Sequence, residues 1–354
     1  MSGQITQQKW KFMIENGFVS KETHEYFCRY QKGFHQNWAG KEFKCSLKTY
    51  PLISVIIPTY NRLGMLKKAV QSVINQKYPT IEIIVINDCS SDGTFEYLES
   101  LKQQISNLVI IHNTSNLNAG KNRQLGYLQS SGKYIVFLDD DDFYTDVNFF
   151  RKVAFSFEEN DDLSFVAANS LIQKQNELFI SENRVFGRIS NVEYLNKFQS
   201  EIQKPNSTFS AVFDKHKLES AEFSSMTMMN DVAIYLRALL TGDAYLIRDV
   251  CGVYLIHGQN ISFSIKPDFL IQNMQEKLWV YNQTEKWGIC LRYDWLKRHF
   301  RNSLKYFILS SKPSVNQIIV VYRWIWNNTK SYRILMLLSI LKYTLIRLKG
   351  ELSS

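Results

Sequence analysis

The sequence predicts an α/β chain built on a mostly parallel sheet flanked by helices. Three observations carry this prediction. Apolar, β-branched runs at 52–58, 81–86, 108–111 and 134–138 are short and uninterrupted, the pattern of strands covered on both faces. Segments of helical period lie between them. Polar residues recur where the runs end, as expected where parallel strands converge on a ligand-binding edge.

Each element follows from its residues. Residues 1–50 are polar and aromatic, with Trp10, Phe12, Phe18, Tyr26 and Trp38, and read as a helical extension without visible chemistry. The first strand, 52–58, ends in Thr59-Tyr60-Asn61-Arg62. The helix over 63–76 carries Leu66, Val70, Val73 and Ile74 at helical spacing. The second strand ends in Asn87-Asp88, and Ser90-Ser91-Asp92-Gly93 reads as a turn capping a helix that runs through Leu101. A short strand at 108–111 precedes a helix over 119–130, expected to stop at Gly132. Four such βα units in a row call for right-handed crossovers. From 171 to about 225 the pattern weakens. Phe179, Phe186, Tyr194, Phe198 and Phe209 read as packing residues ahead of sugar-stacking ones.

Composition narrows the class. The chain has 354 residues, 45% hydrophobic and 21% charged, which is ordinary for a globular protein of one large domain or two smaller ones. Five cysteines, Cys28, Cys45, Cys89, Cys251 and Cys290, lack paired spacing, which argues for reduced thiols in the cytoplasm and against zinc. No signal peptide is evident and no apolar run reaches the roughly 18 residues that span a bilayer. The net charge of +9 is unevenly placed: residues 266–354 hold 15 Lys/Arg and 5 Asp/Glu, while the rest is near neutral. Such a tail suits an anionic partner.

The centre of the chain is Lys133-Tyr-Ile-Val-Phe-Leu-Asp139-Asp140-Asp141-Asp142, an apolar strand driving into four acids. Adjacent carboxylates repel, and a hard divalent cation with oxygen ligands would relieve them. The expectation is a metal–phosphate site at Asp139–Asp142; the alternative is a solvated acidic turn capping a helix that begins near Thr145.

Four ordered motifs then carry a resemblance. They are Leu52-Ile-Ser-Val-Ile-Ile-Pro58-Thr-Tyr-Asn61-Arg62, Ile83-Ile-Val-Ile-Asn-Asp88-Cys-Ser-Ser-Asp92-Gly93, Asn118-Ala-Gly-Lys-Asn-Arg123-Gln-Leu-Gly126, and Phe137-Leu-Asp139-Asp-Asp141-Asp142. Together they resemble the successive motifs of family 2 glycosyltransferases of the bacterial surface-polysaccharide type, over residues 51 to about 260. The resemblance implies a GT-A fold, a Rossmann-like mostly parallel sheet. It implies an inverting hexosyl- or N-acetylhexosaminyltransferase that uses a UDP-sugar and Mn²⁺ or Mg²⁺. The organisation it implies is an N-terminal helical extension (1–50), a catalytic domain (51–265) and a basic helical region (266–354). Within the catalytic domain, 51–170 would be the nucleotide-binding half and 171–265 the acceptor-binding half.

The resemblance also implies roles. Pro58, Thr59, Tyr60, Asn61 and Arg62 would lie along the nucleoside, and Asp88 would accept a hydrogen bond from the base N–H. Arg123 would face the base or phosphates, although Asn122-Arg123-Gln124-Leu125-Gly126 departs from the family's Ala-Arg-Asn-x-Gly pattern. Asp139 and Asp141 match the Asp-x-Asp metal motif, with Asp140 counted among the nucleotide-binding residues. Asp141 would touch the metal, and Asp139 would serve the ribose or the metal's water shell. In Met228-Met-Asn230-Asp231, Asp231 would be the general base, where the family often shows Glu-Asp. The alternative for Asp231 is a helix-terminal acid interacting with the dipole. His257, in Tyr254-Leu-Ile-His257-Gly-Gln-Asn260-Ile-Ser262, would approach the metal or diphosphate.

Beyond Pro267 the chain reads helical and basic. Lys297, Arg301 and Lys305 oppose Leu296, Phe300, Leu304, Phe307 and Ile308, an amphipathic pattern that suits either an anionic membrane surface or packing on the catalytic domain. The expected partners are a UDP-sugar and a glycan acceptor, lipid-linked acceptors included, at a cytoplasmic or peripheral inner-membrane site. Self-association is left open. Two alternatives stand beside this reading. One is an inactive member that only binds nucleotide, against which the intact Asp141 and Asp231 argue. The other is a nucleic-acid-binding protein using the basic tail, though no nucleic-acid motif is present and no nucleic acid is expected.

Overall fold

A computed structural model of the protein describes residues 47–174, 177–181, 185–226, 228–257 and 266–352. The helical extension expected over 1–50 lies almost wholly outside the described residues, as do Cys28, Cys45, Asn260 and Ser262. The strands are β1 (Ile53–Thr59), β2 (Ile81–Asn87), β3 (Leu108–His112), β4 (Tyr134–Phe137), β5 (Phe143–Tyr144), β6 (Leu163–Lys174), β7 (Glu177–Ile180), β8 (Gly187–Ile189), β9 (Ala211–Asp214) and β10 (Asp243–Ile256). The helices are α1 (Leu63–Ile74), α2 (Thr94–Lys102), α3 (Asn118–Gln129), α4 (Phe149–Glu158), α5 (Asn191–Lys197), α6 (Lys215–Ser220), α7 (Asp231–Thr241), α8 (Pro267–Gln283), α9 (Trp295–Ser310), α10 (Val315–Asn328) and α11 (Arg333–Leu352).

The strands form one sheet in the order β3-β2-β1-β4-β9-β6-β10-β5, with β7 and β8 added at its side. β1 pairs in parallel with β2 and β4, and β2 with β3. β9 runs against both β4 and β6, so β6 and its parallel partner β10 point the same way as β1 to β4. The six strands β1, β2, β3, β4, β6 and β10 therefore share one direction, and their carboxyl ends share one edge. The sheet is mixed because β9 and the short strands β5, β7 and β8 run against their partners.

Connectivity locates the crevice. The chain lays β2 and β3 on one side of β1, then returns to place β4 on the other. That reversal between β1 and β4 is the topological switch point where open α/β sheets bind ligands. Register between the two strands ends at Ile56 and Phe137, with one further bond from the Leu138 amide to the Ile56 carbonyl (2.9 Å). Pro58 falls just past this pairing, where its missing N–H costs no ladder bond to β4.

The alternation of β1 divides the core. Ile53, Val55 and Ile57 face a layer containing Leu66, Val70 and Phe150 from α1 and α4. Ile56 faces the other layer, which runs through Tyr127 of α3 and Leu236 of α7 to Trp295, Phe300, Ile325 and Ile340 of the C-terminal helices. Helix α3 lies so close that a Cβ on Gly126 would come within 2.4 Å of Ile56 Cγ2 and 2.8 Å of Ile86 Cδ1. Tyr194, Phe198 and Phe209 are fully buried, as packing requires, whereas Phe179 is half exposed and Phe186 carries the Arg248 guanidinium on its ring.

The structure decides three local readings. The acids after β4 do not cap a helix at Thr145: Phe143–Tyr144 pairs with Gly252–Val253 as a strand, and α4 begins at Phe149 behind Asn148. Gly132 is no left-handed helix cap. Ser130 ends α3 in an extended conformation, and Gly132 is glycine because a Cβ would strike Ser54 Oγ at 2.6 Å. The apolar face of α9 is occupied by protein. Leu296, Phe300, Leu304, Phe307 and Ile308 are all buried in the core, so packing is the reading that holds for this helix.

The C-terminal helices are tied to α7 by a buried ion pair. Arg237 donates to Glu276 Oε2 from Nε (3.0 Å) and Nη2 (2.8 Å), and its guanidinium lies 3.2 Å from the Trp279 ring centroid. Nearby, Lys277 is buried with Ser303 Oγ as its hydrogen-bond acceptor (2.6 Å), in the same region as the buried His299.

Two outcomes follow from this packing. Gly126→Ala forces a methyl between α3 and the sheet and should cost about 1–3 kcal/mol in chemical denaturation, the usual range for overpacking; an unchanged midpoint would contradict the close approach. Burial pulls the Lys277 ammonium down to about 7. Between about 7 and about 10 the unfolded chain holds a proton there that the folded chain lacks, so this group's contribution to stability rises with pH across that window. Lys277→Met should raise the melting temperature most below pH 7 and flatten the pH profile; a parallel profile would contradict this.

Candidate active site

The site is built at the carboxyl edge, around the turn that follows β4. The Asp142 amide donates to the Asp139 carbonyl (3.1 Å), so the chain curls and the four carboxylates fan out from one turn. Asp140, Asp141 and Asp142 are buried, which excludes the solvated acidic turn. Each acid has its own partners. Asp140 accepts from Thr59 Oγ1 (2.8 Å) and Arg62 Nη1 (3.1 Å). Arg62 Nη1 also donates to Asp141 Oδ2 (3.1 Å), which lies 2.8 Å from His257 Nε2. Asp142 accepts from Ser207 Oγ (2.8 Å) and the Leu255 amide (3.2 Å). Asp139 accepts from Arg123 Nη2 (2.5 Å).

The electrostatics show an excess of negative charge. Burial pushes the Asp140 carboxyl up to about 6, against the opposing pull of Arg62 and Thr59. Burial, followed by the charges of Asp141 and Asp139, pushes Asp142 well above the carboxylate range. Carboxylate oxygens of Asp139, Asp141 and Asp142 all lie within 4.8 Å of one another. An all-oxygen donor set gathered this closely fits Mg²⁺ or Mn²⁺, and a cation there would relieve the repulsion that raises Asp142. Asp142 joins this cluster although the resemblance assigns the Asp-x-Asp motif to Asp139 and Asp141. The signal for it was the fourth consecutive acid, and the turn is what returns it to the group.

Arg123 connects this cluster to α7. It is buried, and besides Asp139 it donates from Nη1 to the Met229 carbonyl (3.0 Å) and lies 3.9 Å from Asp231 Oδ1. Asp231 is the first residue of α7, but the cap is its neighbour: Asn230 Oδ1 accepts from the Ala233 amide (2.8 Å). The Asp231 carboxylate is partly exposed and turned toward cations, with Lys204 Nζ 3.5 Å from Oδ2. Lys204, anchored on the Pro205 and Asn206 carbonyls, and Ser207 come from the weakly patterned stretch, where sequence reasoning had no motif to follow.

The remaining residues form a neighbouring wall. Asp88 is buried after β2 and accepts from Asn113 Nδ2 (2.8 Å) and the amides of Leu117 (2.8 Å) and Asn118 (3.0 Å), so it holds the loop that starts α3. Asn61 takes a positive φ of 52°, and its Oδ1 accepts from the Ser91 amide (2.7 Å), stitching the loop after β1 to the loop after β2. Tyr60 is half exposed beside it. The structure thus gathers Thr59, Arg62, Asp139, Asp140, Asp141 and His257 into one network and joins Asp231 to it through Arg123. Asp88, Tyr60 and Asn61 lie on the adjoining loops of the same sheet edge.

Comparison with known proteins bears on the family and the fold. The Glycosyl transferase family 2 model matches residues 54–229. A GalNAc(5)-diNAcBac-PP-undecaprenol beta-1,3-glucosyltransferase of Campylobacter jejuni is 29% identical over 212 residues, 59% of this chain and 66% of that one. The UDP-Glc:alpha-D-GlcNAc-diphosphoundecaprenol beta-1,3-glucosyltransferase WfaP of Escherichia coli is 31% identical over 123 residues, 35% of this chain and 47% of that one. The chain thus spans just under two thirds of the first relative and about half of the second. Among solved structures, residues 1–349 of S. aureus TarS with UDP-GlcNAc superpose with a TM-score of 0.61 at 16% identity, covering 78% of this chain and 80% of that one, a likeness of fold. From the family match and the likeness of fold, the chain belongs to glycosyl transferase family 2 and has the GT-A fold.

Proposed function

We propose that the protein transfers a sugar from a UDP-sugar, with inversion and with Mn²⁺ or Mg²⁺, to a hydroxyl of a lipid-linked glycan in bacterial surface-polysaccharide synthesis. The observation that carries the reading is Arg123, whose guanidinium faces Asp139 on one side and Asp231 on the other. A carboxylate across from a strand-end acid cluster is the arrangement that in-line displacement needs. The relatives' names support the substrates: both act on undecaprenol-linked glycans, and one is named for UDP-Glc. The described cysteines, Cys89, Cys251 and Cys290, are unpaired, in keeping with a reducing compartment on the cytoplasmic side.

The residues divide the work. Asp139, Asp141 and Asp142 would hold the cation, with His257 beside Asp141. When bound, the cation offsets diphosphate charge, and most strongly as the leaving group departs. Asp231 takes the acceptor hydroxyl proton as that oxygen bonds to the anomeric carbon and the carbon–phosphate oxygen bond breaks. Arg123 and Lys204 orient the Asp231 side chain. Asp88 spends three of its roughly four acceptor positions on the loop before α3, leaving one for a base N–H, which favours uracil. Thr59 and Arg62 hold Asp140 against β1, with Pro58, Tyr60 and Asn61 completing the nucleoside wall.

Two measurements test this. With Mn²⁺ and UDP at about a hundred times their dissociation constant, the ligands should stabilise the wild type by about 2.7 kcal/mol in thermal unfolding; Asp141→Asn should lose most of this gain, and equal gains would remove the cation site. Asp231→Asn should bind UDP and Mn²⁺ as the wild type does while turnover falls about 10²-fold or more; near-normal turnover would remove Asp231 as the base.

A further inference from the structure

The last helix presents an apolar face to the outside that no other part of the described structure covers. In α11, Ile334, Leu338, Leu341, Leu345 and Leu348 follow alternating spacings of four and three down one side of the helix, with Leu337 beside them. They are exposed: Ile334 by 72%, Leu338 by 57%, Leu341 by 52% and Leu345 by 59%. The opposite side is the anchored one, with Met336, Ile340 and Tyr343 buried in the core. Single exposed leucines are common on protein surfaces, but a continuous stripe along a 20-residue helix is an interaction surface.

Its surroundings say what it meets. Lys342 and Lys349 are exposed along one flank of the stripe. From 295 to 350 the chain carries 11 Lys/Arg and no Asp or Glu. At the junction leading into α11, the half-exposed Trp326 holds Arg333 on its ring, 4.7 Å from the centroid, and its carbonyl accepts from Arg333 Nε (2.6 Å). Aliphatic stripe, basic flank and a tryptophan beside it are what a helix lying in the plane of an anionic bilayer surface uses. A second copy of the chain would bring the same cations, with Glu351 the one acid that α11 offers against its Arg333, Lys342, Arg347 and Lys349. Residues 1–46, with 7 Lys/Arg and 4 Asp/Glu, are also net basic.

We propose that the outer face of α11, continued by Trp326, docks the protein in-plane on anionic phospholipid. The helix is not a span: among the described residues no helix is long and apolar enough to cross a membrane. The assignment moves the lipid-facing surface from α9, whose apolar side is buried, to α11. It rests on the surface alone and not on the transfer reading, because vesicle binding needs neither donor nor acceptor.

Co-sedimentation of the full chain with phosphatidylcholine vesicles, with and without phosphatidylglycerol, tests it. The wild type should pellet with the anionic vesicles and weaken as salt rises. Leu338→Glu/Leu341→Glu/Leu345→Glu should bind roughly tenfold more weakly or worse, with circular dichroism and UDP affinity unchanged. Lys342→Gln/Lys349→Gln should bind more weakly and lose part of the salt dependence. Failure of the wild type to pellet, or pelleting of the triple variant like the wild type, would overturn the proposal. So would sedimentation velocity showing a wild-type dimer that the triple variant dissociates, without vesicle binding by either. A protein that pellets but transfers no sugar leaves the docking face standing and removes the transfer reading; the reverse result does the opposite.

Discussion

The structure depends on how four consecutive carboxylates are kept in a crevice that excludes most of the water. Left alone, Asp139 to Asp142 would repel one another at the mouth of β4. Two arginines from different elements prevent that. Arg62, just past β1, spans Asp140 and Asp141, and Arg123, in α3, takes Asp139. The compensation is incomplete: burial, followed by the charges of Asp141 and Asp139, holds Asp142 well above the carboxylate range. Residual negative charge of this kind would favour a bound cation. A fully paired cluster would have no need of one.

Arg123 also couples two halves of the protein. Its place is set by α3 lying against β1 and β2 at the Gly126 contact, and from there it reaches the Met229 carbonyl and Asp231 at the start of α7. The far part of the same helix carries Arg237, which grips Glu276 in α8. Asp231 is therefore positioned from the sheet side through Arg123 and braced from the C-terminal side through Arg237. The basic C-terminal helices are thus part of the frame that holds the helix beginning at Asp231.

Much of this was legible beforehand because its causes are local. The strands announce themselves as β-branched runs, and the helices between them force parallel pairing with crossovers. The carboxyl ends of those strands then had to share an edge, which brought Thr59, Arg62 and Asp139 to Asp141 together on paper. Asp231 was legible as the first acid of a helix with an apolar face. Where the reading went astray, the reason was a contact between distant residues. Gly132 looked like a helix stop, but its glycine answers to Ser54 on β1. The α9 stripe suited either a membrane or packing, and the structure decides for packing, with Leu296, Phe300 and Leu304 in the core.

The sequence by itself determined the element types, the parallel run of the first four strands and the residue types at their ends, because period, propensity and strand length are properties of neighbouring residues. Only the tertiary structure decided that β9 turns against its neighbours, that Asp142 curls back beside Asp139, that Lys204 and Ser207 reach the acids, and that α11 instead of α9 keeps an apolar face outward. Those outcomes depend on which surfaces compete to be buried across hundreds of residues, and no local pattern records that competition.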